Sequence, residues 1–231
     1  MTGRADRNLA DEVARTLRGW LRDGTLERDR LYSVQQVAER LDVSRSPARE
    51  GVLALAEAGL VRFTRNRGFR VVVPTGRQVA EIFSIRMALE PTAAQQAARR
   101  ATAEQVTRLR DRLATLASLT GVREFADADQ ELHAEILDIA GNATAARVVD
   151  ELRDFTRTLG PSTMGRTRSL SDIATEHRPF VEAIAGGDAA RARETMRHHL
   201  TTTGRLLIAQ CAAAGDPNAW TAWEELVEED L

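Results

Sequence analysis

The feature that most constrains the fold is a pair of short helical patterns separated by only a few residues, between positions 33 and 60. Apolar residues of the first pattern recur at helical spacing, at Val34, Val37, Ala38 and Leu41. Asp42 and Val43 follow, where a turn would place one buried apolar residue. Ser44 or Ser46 can accept a hydrogen bond from the free amides that open the next helix, and Pro47 suits its first turn. The sequence therefore predicts two helices joined by a tight turn.

The second predicted helix has an apolar face and an exposed, cationic N-terminal end. The residues expected to face the core are Val52, Leu53, Leu55, Ala56 and Leu60. Arg45, Ser46 and Arg49 lie near the exposed end. In helix-turn-helix docking that end meets the base edges, and the planar fork of arginine can pair with O6 and N7 of guanine together. We therefore expect base reading to depend on a few side chains.

A short basic hairpin is predicted after the second helix. Gly59 can end that helix, and residues 60–63 and 69–73 have the pattern of two strands around a tip at residues 64–68. The tip contains Arg65, Arg67 and Gly68, and a short cationic wing of this kind would lie on phosphates or reach into a minor groove. The two helices and the hairpin together predict a winged helix-turn-helix, with double-stranded DNA as the partner.

An alternative is that these arginines form an ordinary solvated face. Against this alternative, residues 45–70 contain six arginines and two acidic residues, whereas the whole chain has a net charge of −2. Such segregation of positive charge is typical of nucleic-acid binding. The charge distribution therefore favours DNA binding.

The rest of the chain is predicted to be helical. A hydrophobic content of 43% with only 4% aromatic residues requires a core of Ala, Leu, Val and Ile, which favours helices. Six helical patterns start near Gly76, Thr102, Arg123, Ala143, Ser171 and Asp188. We predict a mainly α protein, with a winged helix-turn-helix domain over residues 1–74 and an all-helical bundle over residues 75–214. An acidic tail over residues 215–231 is expected to form a short capping helix or to fray.

The sequence does not indicate export or a membrane partner. Cys211 has no second cysteine for an internal disulfide, and neither a hydrophobic N-terminal signal segment nor a long apolar run is present. We therefore expect a cytoplasmic location.

All four histidines fall in the helical part of the chain, at positions 133, 177, 198 and 199. Asp129 and His133 are four residues apart, so they project from one helical face and could bind one ion together. If the later helices pack around a common centre, His177 and His199 could join them. Such donors suit zinc, nickel, manganese or iron and leave coordination positions open for a ligand oxygen. The alternative is a surface pair at Asp129 and His133, with His198 and His199 on an exposed helix end.

The segment Val43-Ser44-Arg45-Ser46-Pro47-Ala48-Arg49-Glu50, followed by Gly59-Leu60-Val61 and Asn66-Arg67-Gly68, resembles the GntR family of bacterial transcription regulators. The resemblance covers residues 8–74. Gln35 departs from it because the family often has arginine there, and Gly51 stands where alanine is usual. We expect Gly51 to destabilise its helix by about 0.5–1 kcal/mol relative to alanine. The candidate DNA-binding residues are Ser33, Gln35, Ser44, Arg45, Ser46, Arg49, Arg65, Arg67 and Gly68.

Residues 86–90, 129–133 and 176–200 resemble the FCD effector domain that is attached to many GntR regulators, over residues 76–205. The resemblance implies a divalent metal ion, with zinc as the first choice. Its ligands would be Asp129, His133, His177 and His199, the last chosen over His198 because it directly precedes the matching leucine. The resemblance also implies that Arg86 pairs with the acidic group of an effector. The alternative for Arg86 is a structural salt bridge with Glu90.

These features together predict a regulator of transcription. Two winged domains of a homodimer would read a palindromic operator whose half-sites are about one helical turn, roughly 34 Å, apart. A small organic acid at the metal site would control operator affinity, and we expect a repressor that its effector releases. Two alternatives stay open: a metal-free pocket for acyl or other apolar ligands, or a metal-dependent enzyme. For the enzyme, the sequence offers no separate general acid or base at a suitable spacing.

Overall fold

The computed structural model describes residues 2–22, 24–27, 30–65, 67–159, 163–164 and 167–228, with the backbone alone for residues 2–8 and 159. The chain divides into two compact units. The first comprises Met1–Pro74 with Phe155–Gly160, and the second comprises Thr75–Asp154 with Pro161–Leu231. Helices dominate the described residues, so the predicted mainly α fold is confirmed.

The first unit is a winged helix-turn-helix. Its elements are α1 (Thr2–Arg22), β1 (Leu31–Tyr32), α2 (Val34–Leu41), α3 (Arg45–Glu57), β2 (Val61–Thr64) and β3 (Gly68–Val71). Strand β3 lies between β1 and β2 and is antiparallel to both. Thr64 pairs with Gly68 at the hairpin end, and Asn66 of the predicted tip lies outside the described residues.

Local signals explain where α2 begins and ends. The Ser33 side chain accepts a hydrogen bond from the Gln36 N–H, and the Gln36 side chain accepts one from the Ser33 N–H. Asp42 ends α2 in the left-handed region, at φ 52°, which a short polar side chain tolerates better than most. Ser44 occupies the N-cap position of α3, but no side-chain hydrogen bond caps that helix. The capping bond expected from Ser44 or Ser46 was therefore wrong.

The core of the first unit forms where α1 and α3 pack against each other and against the sheet. Helix α3 buries Val52 and Leu55, as predicted, but Leu53 is 38% exposed. Its assignment to the core was wrong, because successive residues of a helix point about 100° apart. Gly51 is buried where α1 crosses α3, and a Cβ atom there would lie 2.5 Å from Val13 Cγ1. Glycine therefore permits the close approach of these two helices.

The second unit is a helical bundle. Its helices are α4 (Gly76–Arg100), α5 (Ala103–Ser118), α6 (Val122–Ala140), α7 (Ala143–Leu159), α8 (Leu170–Ala185) and α9 (Ala189–Ala213). The last turn of α7, from Phe155, belongs to the first unit. The six predicted starts agree with these bounds to within one residue. Helix α4 packs along α9, and α6 and α8 also contact α4. This arrangement directs side chains of α4, α6, α8 and α9 towards a shared interior.

The acidic tail is folded onto the second unit. Helix α10 (Ala219–Trp223) is followed by a π-helical turn, Glu224–Glu228. Trp223 is buried with its ring 5.9 Å from that of Phe83, and it also packs on Gly204, where a Cβ atom would lie only 2.2 Å from the indole. The Asp216 carboxylate accepts a hydrogen bond of 2.7 Å from the Gly76 N–H, at the start of α4. Of the two expectations for the tail, the structure shows the packed helix.

Across the described residues, no helix is both long enough and apolar enough to cross a membrane.

Candidate functional site

The N-terminal end of α3 presents the arginines that were predicted to read DNA. Arg45 and Arg49 are exposed, and together with Val34 and Gln35 of α2 they line an open cleft of about 370 Å³. Ser44 and Ser46 are exposed beside them. The Gln35 amide donates a hydrogen bond of 2.5 Å to Glu39, one turn further along α2. The two helices therefore bring amide and guanidinium donors to one surface.

The remaining candidate DNA-binding residues divide into structural positions and surface charges. The Ser33 hydroxyl is engaged in the cap of α2. Gly68 has a φ of 121°, and a Cβ atom there would lie 2.0 Å from the Tyr32 carbonyl oxygen, so β3 can start beside β1 only with glycine. Arg65 and Arg67 are exposed on the hairpin. The charged tip of the wing thus depends on a glycine that lets the strands approach.

Three buried histidines converge inside the second unit. His133 of α6, His177 of α8 and His199 of α9 have ring centroids 4.5–5.5 Å apart, and one nitrogen of each ring lies within 4.8 Å of the others. His198, in contrast, is exposed. The ring of Phe180 packs against all three imidazoles, at 5.2–5.7 Å. The geometry brings together the three histidines singled out from the sequence and does not fit the alternative of a surface pair.

Hydrogen bonds fix the orientation of the imidazole rings. Nδ1 of His177 lies 2.6 Å from the carbonyl oxygen of Ile173, and Nδ1 of His133 lies 3.0 Å from Oε2 of Glu90. These bonds turn the two Nε2 atoms towards each other, 3.4 Å apart. Asp129 Oδ1 lies 2.8 Å from the same Nε2 of His177. The donor atoms of α6 and α8 therefore surround one small space.

Burial and the neighbouring charges favour ionised Glu90 and Asp129 and neutral His133 and His199. Burial by itself would raise the pKa of Asp129, but Arg153 and His177 hold that pKa well below its usual value. Burial lowers the pKa of His133 to about 4, and the charge of Arg153 acts in the same direction. Burial, followed by the neighbouring His177 and His133, also lowers the pKa of His199 well below its ordinary value. Neutral imidazole is the form that binds metals.

Sequence reasoning missed Arg153. This residue of α7 is 8% exposed, and its Nη2 donates a hydrogen bond of 2.6 Å to Asp129 Oδ2. Its Nη1 lies 3.7 Å from Glu90 Oε2. One weak signal was available: Arg153 follows the buried Val149 by four residues and so shares the inner face of α7.

Arg86 forms the salt bridge that was considered as its alternative role. Its Nε donates to Glu90 Oε1 at 2.6 Å, and both side chains are almost fully buried. Burial raises the pKa of Glu90 by itself, but Arg86 and His133 more than offset it and hold that pKa well below its ordinary value. Arg86, Glu90, His133 and Asp129 are therefore linked, through Arg153, in one buried ionic network.

The cluster has the donor set of a divalent metal site. Both ring nitrogens of His177 face oxygen acceptors, so Nε2 must share a proton or a metal ion with Asp129. His199 Nδ1 is buried without a hydrogen-bond partner among the described residues, which leaves a nitrogen ligand unused. Hydrogen bonds to Glu90 and to the Ile173 carbonyl orient the rings of His133 and His177, as the outer nitrogen of a metal-binding histidine is held in many proteins. The three histidines could therefore hold a divalent metal ion, with Asp129 beside them.

Comparisons with known proteins agree with both halves of this description. Residues 9–71 match the family described as bacterial regulatory proteins, gntR family, and residues 81–202 match the FCD domain. The two matched segments coincide with the winged helix-turn-helix and with α4 to α9.

Relatives cover most of the chain. The HTH-type transcriptional regulator LutR of Bacillus subtilis is 28% identical over 78% of this chain and 91% of its own. A Paenarthrobacter nicotinovorans protein named "Probable D-xylose utilization operon transcriptional repressor" is 30% identical over 71% of this chain and 74% of its own. The solved structure of Escherichia coli McbR/YncC shares the fold, with a TM-score of 0.71 at 19% identity, over 87% of this chain and 98% of that one. The family and the two proteins named first are regulators of transcription rather than enzymes. The chain therefore belongs to the GntR family of bacterial regulatory proteins, with an FCD domain, and is a DNA-binding regulator of transcription.

Proposed function

We propose that this regulator is a homodimeric repressor whose affinity for a palindromic operator is controlled by a small organic acid bound at a metal centre. In this proposal residues 1–74 bind DNA, residues 75–214 bind the metal ion and the effector, and residues 215–231 form the tail. It acts in the cytoplasm, where bacterial DNA lies. The observation that carries the proposal is the convergence of His133, His177 and His199 beside Asp129 in an FCD domain.

On the DNA side, the arginines at the exposed end of α3 read base edges, and the wing grips the backbone. Arg45 and Arg49 line the cleft with Gln35, and a guanidinium there can form a bidentate pair with guanine. Ser44 and Ser46, which are exposed at the same end of α3, contact the phosphates beside those bases. Arg65 and Arg67 supply charge on the wing, while Ser33 and Gly68 shape the elements that carry these groups.

On the effector side, Asp129, His133, His177 and His199 hold the metal ion. Three imidazole nitrogens and one carboxylate are a donor set that zinc accepts, and nickel, manganese or iron would also fit. The ion, when bound, would supply a positive centre that attracts a carboxylate. Arg86 lies on the same network through Glu90 and could turn to an acidic effector. A small acid is therefore the class of molecule that this site favours.

Control of the operator requires the effector to prefer one geometry of the dimer. A coupling free energy of about 1–3 kcal/mol would change operator affinity by about five- to 150-fold. The histidines lie on α6, α8 and α9, so a ligand that rearranges them would act on helices that pack against α4, the first helix after the winged unit. An acid that binds both geometries equally would not regulate.

The test is operator binding by fluorescence anisotropy, with DNA from the upstream region of the gene itself. Metal-free protein, zinc-loaded protein and zinc-loaded protein with a panel of short carboxylic acids are compared. We expect at least one acid to weaken binding by about fivefold or more, within the range typical of allosteric coupling. A His177→Ala variant should keep operator binding and lose both zinc and the acid response.

Matched measurements separate the alternatives. His198→Ala changes the neighbouring exposed histidine and should retain zinc binding measured by elemental analysis. If wild-type protein binds no divalent ion at all, the metal-free effector pocket replaces this proposal. If zinc binds but no acid changes operator affinity, the proposed effector class is wrong.

A further inference from the structure

A further buried guanidinium, that of Arg168, is not used by the function proposed above. Arg168 precedes α8, and its side chain is 9% exposed. Its Nη1 donates to the Glu176 carboxylate, and its Nη2 donates to Thr163 Oγ1 at 2.8 Å and to Thr203 Oγ1 at 3.3 Å. Three partners therefore hold the guanidinium in place between α8 and α9.

The partners of Arg168 are close neighbours of two histidines. Thr203 follows His199 by four residues on α9, and side chains at that spacing lie about 5–6 Å apart on one helical face. Glu176 directly precedes His177 on α8. The guanidinium therefore contacts a residue that lies one helical turn from His199 on the same face of α9.

Arg168 also carries an unused donor. Its Nε is buried and has no hydrogen-bond partner in the described part of the chain. A buried N–H that is left unpaired loses the hydrogen bond it would make with water, so such groups are rare unless a ligand or water completes them. The donor is available to an acceptor that the described residues do not provide.

We propose that Arg168 binds a second acidic group of the effector, so that the effector is a short dicarboxylic acid. This inference rests on the proposed function, because the first carboxylate must occupy the metal centre. Nε is the donor left for that carboxylate, and the bonds to Glu176, Thr163 and Thr203 hold the guanidinium in position.

The test compares three probes on zinc-loaded, full-length protein by isothermal titration calorimetry. Succinate has two carboxylates, succinamate has the same skeleton with one carboxylate replaced by an amide, and butyrate has one carboxylate only. Wild-type protein should bind succinate at least about tenfold more tightly than either of the others, as expected for one charge-assisted hydrogen-bonded contact. In Arg168→Gln this preference should fall to within about twofold, with zinc content and butyrate affinity unchanged.

The controls keep the outcomes distinct. Arg178→Gln removes an exposed arginine of α8 and should leave the succinate preference intact, while Arg168→Lys should restore part of it. If Arg168→Gln does not fold, the Arg168→Lys variant takes its place, and its succinate preference should lie below that of the wild-type protein. Equal affinities for those two probes would overturn the role of Arg168 and leave the proposed function standing. If none of the carboxylic acids binds to the zinc-loaded protein, the proposed effector class is wrong, and this inference fails with it.

Discussion

Individual charged residues in the second unit are held by partners of opposite charge. The Asp129 carboxylate lies between Arg153 Nη2, at 2.6 Å, and His177 Nε2, at 2.8 Å. A metal ion that used Asp129 would compete with Arg153 for the same group. Arg153 therefore stabilises the site without metal and opposes metal binding.

We predict opposite effects of Arg153→Leu on stability and on zinc affinity. Without metal, the variant removes the cation that pairs with the buried Asp129 carboxylate and leaves it only His177, so the free energy of unfolding should fall by about 3–5 kcal/mol. Zinc should bind more tightly to the variant, because a competing cation is gone. Urea denaturation with and without zinc measures both effects. Arg147→Leu on the same helix removes an exposed pair with Glu151 and should change stability by no more than about 1 kcal/mol. Equal effects of the two variants would contradict the assignment.

The buried histidines should make the metal-free protein sensitive to mild acid. The pKa of His133 is about 4 in the folded protein against an ordinary value of 6.5, so the unfolded chain takes up the proton first as the pH falls. The free energy of unfolding therefore falls as the pH is lowered from 6.5 to 4, and His133 contributes up to about 1.4 kcal/mol per pH unit to this fall. Glu90 and Asp129, whose pKa values are lowered, lose their contribution only in stronger acid.

Thermal unfolding at several pH values measures this dependence. Each kcal/mol corresponds to about 2–4 °C in Tm for a chain of this size. His133→Gln should reduce the fall in Tm, whereas His198→Gln, at an exposed position, should leave it unchanged. A constant Tm through this pH range would show that burial does not hold His133 neutral.

At the level of elements, Gly51→Ala tests the packing of α1 on α3. Helix propensity alone predicts that alanine stabilises α3 by about 0.5–1 kcal/mol. The structure predicts the opposite sign, because the added Cβ would lie 2.5 Å from Val13 Cγ1 and 3.1 Å from the Ala14 nitrogen. We expect a loss of about 1–3 kcal/mol from overpacking. Gly19→Ala on α1 is the control, since a Cβ there meets nothing within 4 Å and should stabilise. If Gly51→Ala stabilises the protein as much as Gly19→Ala does, the close contact between α1 and α3 at Gly51 is ruled out.

The packing of the tail gives a second prediction for an element. Trp223→Ala removes a fully buried indole from its contacts with Phe83 and Gly204, so unfolding of the second unit should become easier by about 3–5 kcal/mol. Trp220→Ala on the same helix removes a side chain that is 37% exposed and should have a much smaller effect. Chemical denaturation compares the two variants. Similar losses would mean that α10 is not anchored by Trp223.

The elements were predictable from sequence where local signals decide, and less so where distant contacts decide. Thr75, Thr102 and Ser169 form capping boxes with the residue three positions on, so the starts of α4, α5 and α8 could be read directly. The shared helical face of Asp129 and His133 was also predictable, because residues four apart on a helix lie one above the other. Arg153 and Trp223 could not be assigned, because their roles depend on residues far along the chain. The exposure of Leu53 likewise follows from how α3 is oriented, which periodicity alone does not fix.

Over the whole molecule, the two units have different electrostatic characters. The chain has a net charge of −2, yet residues 45–70 carry a surplus of arginine over acidic residues, and Arg45, Arg49, Arg65 and Arg67 are exposed. In the second unit, arginines such as Arg108, Arg110 and Arg112 are paired with carboxylates. The affinity for DNA should therefore depend on local charge, and the net charge of the protein should have little influence.

We predict that removing equal charges from the two units has unequal effects on operator binding. Each phosphate contact contributes about −0.9 to the slope of the logarithm of the binding constant against the logarithm of the salt concentration. Arg67→Ala should therefore flatten this slope by about one.

Arg49→Ala should weaken operator binding by about 1–3 kcal/mol, with less effect on unrelated DNA, because it removes a base contact. Arg147→Ala removes the same charge from an exposed position on α7 and should leave both quantities unchanged. Anisotropy titrations between low and moderate salt measure all three variants. If Arg147→Ala changed the slope as much as Arg67→Ala, total charge rather than the wing would govern binding, and the assignment of the wing to phosphate contact would be wrong.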